Sequence, residues 1–244
     1  MKIQQIMGGS RSVFTFKQFS LAHGDPGLKI STEACLLGAW TYKFANGKIL
    51  DIGTGCGLIA CMLAQSNPDV RIDAIEIHPE VAILALENIQ NSPFKNQIQV
   101  MNGDIRSIST EDRYDFIICN PPFFTNHLPA TLEDRQLAIH DDELNFVDLI
   151  LAIKNLLKPG GKFAVIYPKE VMDKFESEMG KNELFVHQLL HVFPTPQSKL
   201  LRVICLGSTE KQDKVLENLY IKDENNEYTE AFKLLLNPYY LIFE

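Results

Sequence analysis

The chain has 244 residues, a formal net charge of −8, and 45% hydrophobic against 22% charged residues. That balance suits one soluble globular domain with a sizeable core and room only for small extensions. It argues against a broad basic nucleic-acid surface. No apolar run approaches the roughly 18 residues of a membrane span, and no apolar signal core opens the sequence.

The charge is uneven. Lys2, Arg11, Lys17 and Lys29 stand against Asp25 alone near the start, while residues 209–230 are rich in acids. A local basic face on an acidic protein is compatible with this pattern. The cysteines, Cys35, Cys56, Cys61, Cys119 and Cys205, form no Cys-x-x-Cys pair. They are expected to be reduced, mostly buried thiols of a cytoplasmic protein, without metal-ligand spacing. His187 and His191 sit in an apolar run with no acid between them, which favours packing over metal binding.

In chain order, Phe14 and Phe16 flank Thr15 as in a short half-buried strand, and His23-Gly24-Asp25-Pro26-Gly27 is turn chemistry. Residues 28–30 are expected to be the return strand of a hairpin. Ser31 or Thr32 then caps a helix running through Trp40. This opening segment reads either as a lid strand with a packing helix or as part of a substrate-binding face. A buried strand at 48–52 enters the turn Gly53-Thr54-Gly55-Cys56-Gly57, and an apolar helix follows to Gln65. The glycines let backbone N–H groups approach a ligand, and the helix start adds a positive dipole. As a dinucleotide fingerprint the match is loose, because Leu58 or Ala60 stands where the last glycine belongs. The Walker pattern is absent.

A second strand, 71–76, ends in Glu76, where a carboxylate can accept from both ribose hydroxyls of an adenosine ligand. A helix at 79–91 and a third strand at 98–101 lead to Asp104, which can accept from an adenine amine. The fourth strand, 114–119, stops at Asn120-Pro121-Pro122-Phe123. Each of these acids reads equally well as a helix cap. Their recurrence at successive strand ends points to a ligand crevice. After a long polar loop, 124–142, come a helix at 146–157, the stop Lys158-Pro159-Gly160-Gly161, a strand at 162–168 and a helix at 169–180. Strands at 185–193 and 200–206 are too close for a crossover and should pair antiparallel. A short helix at 228–236 and a packed aromatic tail close the chain.

Asn120-Pro121-Pro122-Phe123 carries the most chemistry. The prolines hold the carbonyls of Asn120 and Pro121 stiffly and free to accept. The Asn120 side-chain oxygen and the Pro121 carbonyl can each take one N–H of an exocyclic amine. This draws the nitrogen toward tetrahedral geometry, while Phe123 stacks on the ring. A plain strand-terminating turn accounts for the tetrapeptide taken alone about as well.

Asp51-x-Gly53-x-Gly55-x-Gly57, Glu76, Asp104, Asn120-Pro-Pro-Phe123 and the Lys158-Pro-Gly-Gly turn, in this order, resemble the class I S-adenosylmethionine-dependent methyltransferases that act on planar nitrogens. Phe16-Lys-Gln-Phe19, Lys29-Ile-Ser-Thr32-Glu33, Gly38-Ala-Trp40 and Arg135-x-x-Ala138-x-His140 further resemble the bacterial YfiC-type tRNA adenine-N6 methyltransferases. The resemblance implies a Rossmann-like seven-stranded α/β sheet with its last strand antiparallel. Residues 1–40 would be an N-terminal hairpin and helix extension, and 41–244 the methyltransferase unit. It also implies S-adenosylmethionine held by Asp51, Gly53, Gly55, Gly57, Glu76, Asp104 and Asn120, with no metal. The substrate would be a flipped adenine at position 37 of a valine tRNA. Lys17, Lys29 and Arg135 are the phosphate-contact candidates, and a cytoplasmic monomer with no membrane partner is expected. A guanine-N2 rRNA enzyme, a protein-glutamine methyltransferase and an idle RNA-binding scaffold are the alternatives.

Overall fold

The computed structural model describes residues 12–24, 30–108, 113–121 and 144–243. Among them, in chain order, are β1 (Ser12–Thr15), β2 (Ser20–His23), α1 (Thr32–Thr41), β3 (Lys48–Ile52), α2 (Leu58–Ser66), β4 (Arg71–Glu76), α3 (Pro79–Gln90) and β5 (Ile98–Asn102). They continue with β6 (Tyr114–Cys119), α4 (Phe146–Leu156), β7 (Leu157–Tyr167), α5 (Lys169–Lys181), β8 (Phe185–Phe193), β9 (Arg202–Ser208), β10 (Val215–Tyr220) and α6 (Glu230–Leu236).

The runs at β3 and β6 are nearly continuous in Ile, Leu and Phe, as expected of strands buried on both faces of a parallel sheet. The main sheet has the order β10-β8-β9-β7-β6-β3-β4-β5. From β3 the chain steps outward through β4 to β5, then returns to the other side of β3 as β6. The β3/β6 boundary is therefore the point where winding reverses, and crevices for ligands open there at the strands' carboxyl ends.

Helices cover both faces. On one side α1, α2, α3, α6 and the C-terminal aromatics Tyr239 and Phe243 share a core with Ile49, Ala74, Phe116 and Ile118. On the other, α4 and α5 pack on Leu50, Ile117, Phe163 and Val165. Ser31 caps α1 by accepting from the Ala34 N–H at 3.1 Å, as its sequence position suggests.

Three expectations change. The hairpin is tighter: β1 pairs with β2, with Ser12 opposite His23 and Thr15 opposite Ser20, so the return strand is 20–23 rather than 28–30. The Phe16 N–H, bonded to the Phe19 carbonyl at 2.8 Å, closes the turn much earlier than the His-Gly-Asp-Pro-Gly stretch. Leu28 and Lys29 lie outside the described residues. Second, β7 begins at Leu157 instead of 162, because Leu157 already pairs with Tyr114 of β6; residues 158–161 then form an irregularity, with Gly160 at φ of 73°, before pairing resumes with Lys162 opposite Phe116. Third, among the described residues the main sheet has eight strands. β9 is antiparallel to both β7 and β8, as expected of the seventh strand, but β10 adds to the edge parallel to β8. Its residues from Val215 to Asn218 are exposed, so they carry no alternation of buried and solvent-facing side chains to read.

Candidate active site

The carboxyl ends of β3, β4, β5 and β6 meet at the winding reversal. Ile52 pairs with Cys119 across β3 and β6, so Asp51 and Asn120 belong to adjacent strand tips. The glycine turn leaves β3 with φ of 67° at Gly53 and 58° at Gly55, both in the left-handed region that favours glycine. A Cβ added at either would meet nothing within 4 Å, so the turn's upper surface is open. The N–H groups of Gly53 and Thr54 both donate to the Ile75 carbonyl, at 2.9 and 3.0 Å, which fastens the turn to β4.

Glu76, buried at the tip of β4, is oriented from two sides. Its Oε2 accepts from the Gly55 N–H at 3.0 Å, and its Oε1 from the His78 N–H at 3.1 Å. Asn102 donates to the Glu76 and Ile77 carbonyls at 2.9 and 3.1 Å and ties the tip of β5 to β4. A carboxylate held this way keeps lone pairs toward the crevice for diol hydroxyls.

Asp51 is 1% exposed. Its Oδ2 accepts from the Thr54 hydroxyl at 2.7 Å, and its buried Oδ1 has no hydrogen-bond partner among the described residues. Burial pushes this carboxyl up to about 7, the Thr54 hydrogen bond draws it back, and the nearby Glu76 charge raises it further. The side-chain oxygen of Asn120 is also buried without a partner among the described residues. An unpaired buried acceptor costs on the order of 1–3 kcal/mol, so two at neighbouring strand tips mark a place prepared for donors on a ligand.

Asp104 behaves differently. It caps the short 3₁₀ turn Ile105–Ser107 by accepting from the Arg106 N–H at 2.9 Å, and Arg106 also pairs with both carboxylate oxygens. Arg106 holds it below the usual carboxylate range, chiefly through the side-chain hydrogen bond. Cap and ion-pair partner are the roles the structure gives it.

Lys17 is likewise engaged. Its ammonium donates to the Asn237 side chain at 2.7 Å and to the Phe243 carbonyl at 2.5 Å, anchoring the C-terminal tail to the hairpin. This structural tether takes the place of the free cation expected for a phosphate contact. Pro121 follows Asn120 as a buried residue, whereas Pro122, Phe123, Lys29 and Arg135 lie outside the described residues. Thr54 and Asn102 were not singled out in the sequence, where their only signal is position beside an acid or at a strand end. Among the described residues no His, Cys, Asp or Glu group is placed to hold a metal, and no helix is long and apolar enough to cross a membrane.

A glycine turn, an acid at the next strand tip and an Asn-Pro at the winding reversal, on a sheet with one antiparallel strand set into it, define a class I methyltransferase. Solved structures share the fold. A predicted O-methyltransferase from Agrobacterium tumefaciens superposes with a TM-score of 0.68 at 16% identity, over 85% of this chain and 96% of its own. A putative RNA methyltransferase from Pyrococcus horikoshii gives 0.53 at 21% identity, over 72% and 82%. The methyltransferase small domain family matches residues 19–183. A relative from Bacteroides thetaiotaomicron, named tRNA1(Val) (adenine(37)-N6)-methyltransferase, is 35% identical over 93% of this chain and 97% of its own length. One of the same name from Trichodesmium erythraeum is 38% identical over 96% and 99%. The chain belongs to this family of tRNA adenine-N6 methyltransferases.

Proposed function

We propose that this protein transfers a methyl group from S-adenosylmethionine to the exocyclic N6 amine of adenine 37 in a valine tRNA. Likeness to the relatives along nearly their whole lengths supports the reading. The observation that carries it is the pair of unpartnered buried oxygens, Asn120 Oδ1 and Asp51 Oδ1, at the reversal point under an open glycine turn.

These residues fit S-adenosylmethionine, which supplies an electrophilic sulfonium methyl group when bound. Asp51 Oδ1 would accept from its ammonium group, Glu76 from its ribose hydroxyls, and the Gly53–Gly57 turn would give its chain close backbone approach. The Asn120 side-chain oxygen and the Pro121 carbonyl each accept one N–H of the target amine. This localises the nitrogen lone pair and aims it at the methyl carbon. Methyl transfer would exchange the cofactor's S–C bond for the new N–C bond, and the surplus proton would pass to solvent. No side chain at the site is needed as a general base, since positioning and amine polarisation do the work. Phe123 stacks on the flipped base. Residues 1–40 serve as an extension packed on the 41–244 methyltransferase unit. Lys29 and Arg135 contact tRNA phosphates, and the enzyme acts as a cytoplasmic monomer without metal.

The test is methyl transfer from labelled cofactor to total RNA of cells lacking this modification, followed by nucleoside analysis. N6-methyladenosine confined to tRNA supports the reading. N2-methylguanosine, label in protein, or cofactor binding without turnover overturns the substrate, the polymer or the activity respectively.

A further inference from the structure

Asn88 lies on the inward stripe of α3 with Leu84, Ala85 and Ile89, where an apolar residue would ordinarily stand, and it is 4% exposed. Its side-chain amide is fully used. Oδ1 accepts from the Ala22 N–H at 2.9 Å, while Nδ2 donates to the Ala22 carbonyl and to the Cys56 carbonyl, each at 2.9 Å. The amide orientation is fixed by its partners, since a flip would aim the oxygen at two carbonyls. Ala22 belongs to β2 of the N-terminal hairpin, and Cys56 belongs to the glycine turn. One side chain therefore extends the hairpin as a further peptide group would, and grips the turn with its remaining donor.

The neighbourhood reinforces this grip. Gly57, with φ of 86°, approaches Ile89 so closely that an added Cβ would sit 3.3 Å from its Cδ1. The turn thus rests on α3 at two successive residues, one apolar and one polar. The hairpin is held at its other side by the tail, through the Lys17 N–H to the Tyr239 carbonyl at 2.8 Å and the tilted packing of Phe16 against Tyr240, ring centroids 6.0 Å apart.

We propose that Asn88 is a positioning residue that holds the glycine turn in its cofactor-receiving shape and couples it to the N-terminal hairpin. The inference rests on the S-adenosylmethionine reading of the site given above. Asn88 touches no reacting group. It acts through the Cys56 carbonyl on a turn whose N–H groups face β4 and Glu76. Removing it frees the Cys56 carbonyl and both polar groups of Ala22 at once, and the buried turn relaxes to find other partners.

Cofactor dissociation constants by calorimetry, together with kcat and KM at saturating tRNA, test this in Asn88→Ala, Asn88→Asp and Ala22→Pro. Asn88→Ala is expected to weaken cofactor binding about tenfold or more, while kcat at saturating cofactor changes by less than about threefold. Asn88→Asp keeps the acceptor for the Ala22 N–H but cannot donate, so it should not rescue. Ala22→Pro deletes the N–H that anchors the hairpin and sets its ring against the Asn88 oxygen, and should raise the cofactor constant about threefold although residue 22 lies outside the turn. Wild-type protein that fails to bind S-adenosylmethionine would overturn the functional reading itself. Wild-type binding with both Asn88 variants unchanged, at a temperature where circular dichroism shows them folded, would overturn the positioning role. Should Asn88→Ala fail to fold, an unchanged constant in Ala22→Pro still refutes the coupling.

Discussion

Asp51→Asn should stabilise the free protein at alkaline pH and weaken its hold on the cofactor. The carboxyl is buried, one oxygen accepts from the Thr54 hydroxyl, and the other has no partner among the described residues. Burial raises it from 3.8 to about 7. Because the folded value lies above the unfolded one, the native state holds the extra proton between these limits. Its contribution is fully present below about pH 4 and is lost as pH rises through about 7. At about 1.4 kcal/mol per pH unit, the gap corresponds to about 4 kcal/mol, an upper figure reached only above pH 8. Asparagine keeps the acceptor for Thr54 and removes the titration. Urea unfolding of both proteins from pH 5 to 8.5 gives their stability difference, in which titrating groups that do not interact with Asp51 cancel. Wild type should lose ground to the variant by about 1 kcal/mol per pH unit near pH 6. An ammonium group placed against Oδ1 favours the ionised carboxyl, so wild-type cofactor affinity should rise with pH through 7 while that of the variant stays low and flat. A stability difference independent of pH would refute the argument that Asp51 is a buried acid awaiting a cation.

Asn120→Ala removes one of two acceptors for the target amine and should lower kcat by roughly 100- to 1000-fold, with cofactor affinity changed by only a few-fold. Single-turnover methylation alongside calorimetry separates the two, and normal turnover would sink the amine-polarising role. Gly55→Ala forces a Cβ onto a residue with φ of 58° and projects it into the open surface of the turn. Denaturation should show a loss of about 1–2 kcal/mol, while cofactor affinity drops more than about tenfold. Gly207→Ala sets a Cβ into the Phe163 ring and 2.6 Å from the Phe185 carbonyl. A loss of about 2–3 kcal/mol in urea unfolding is expected there, since neither ring nor strand can move aside. An unaltered unfolding midpoint would mean that β9 shifts freely between its neighbours.

Local patterns settle a great deal in this chain. The apolar runs at 48–52 and 114–119 specify buried parallel strands, and Ser31 and Pro79 start helices wherever the rest of the chain goes. The glycines at 53, 55 and 57 announce backbone that side-chain-bearing residues rarely adopt. Asn120-Pro121 carries its acceptors in its own covalent structure. These features rest on periodicity, capping and dihedral preference, which act within a few residues.

Other properties depend on partners distant in sequence. Lys17 reads as a free cation until the Phe243 carbonyl comes within 2.5 Å. The edge strand β10 buries little and so leaves no pattern, and it exists because β8 offers it a row of backbone groups. Asn88 looks like an ordinary polar residue on a helix, and its meaning comes from Ala22 and Cys56, which only the folded chain brings to it. The sequence by itself determined most of the helices and the buried strands around the site, the chemistry of the strand tips and the family. Tertiary structure alone decided which charges are spent on the fold and which acceptors are left unpaired, because hydrogen-bond satisfaction is a property of neighbours in space.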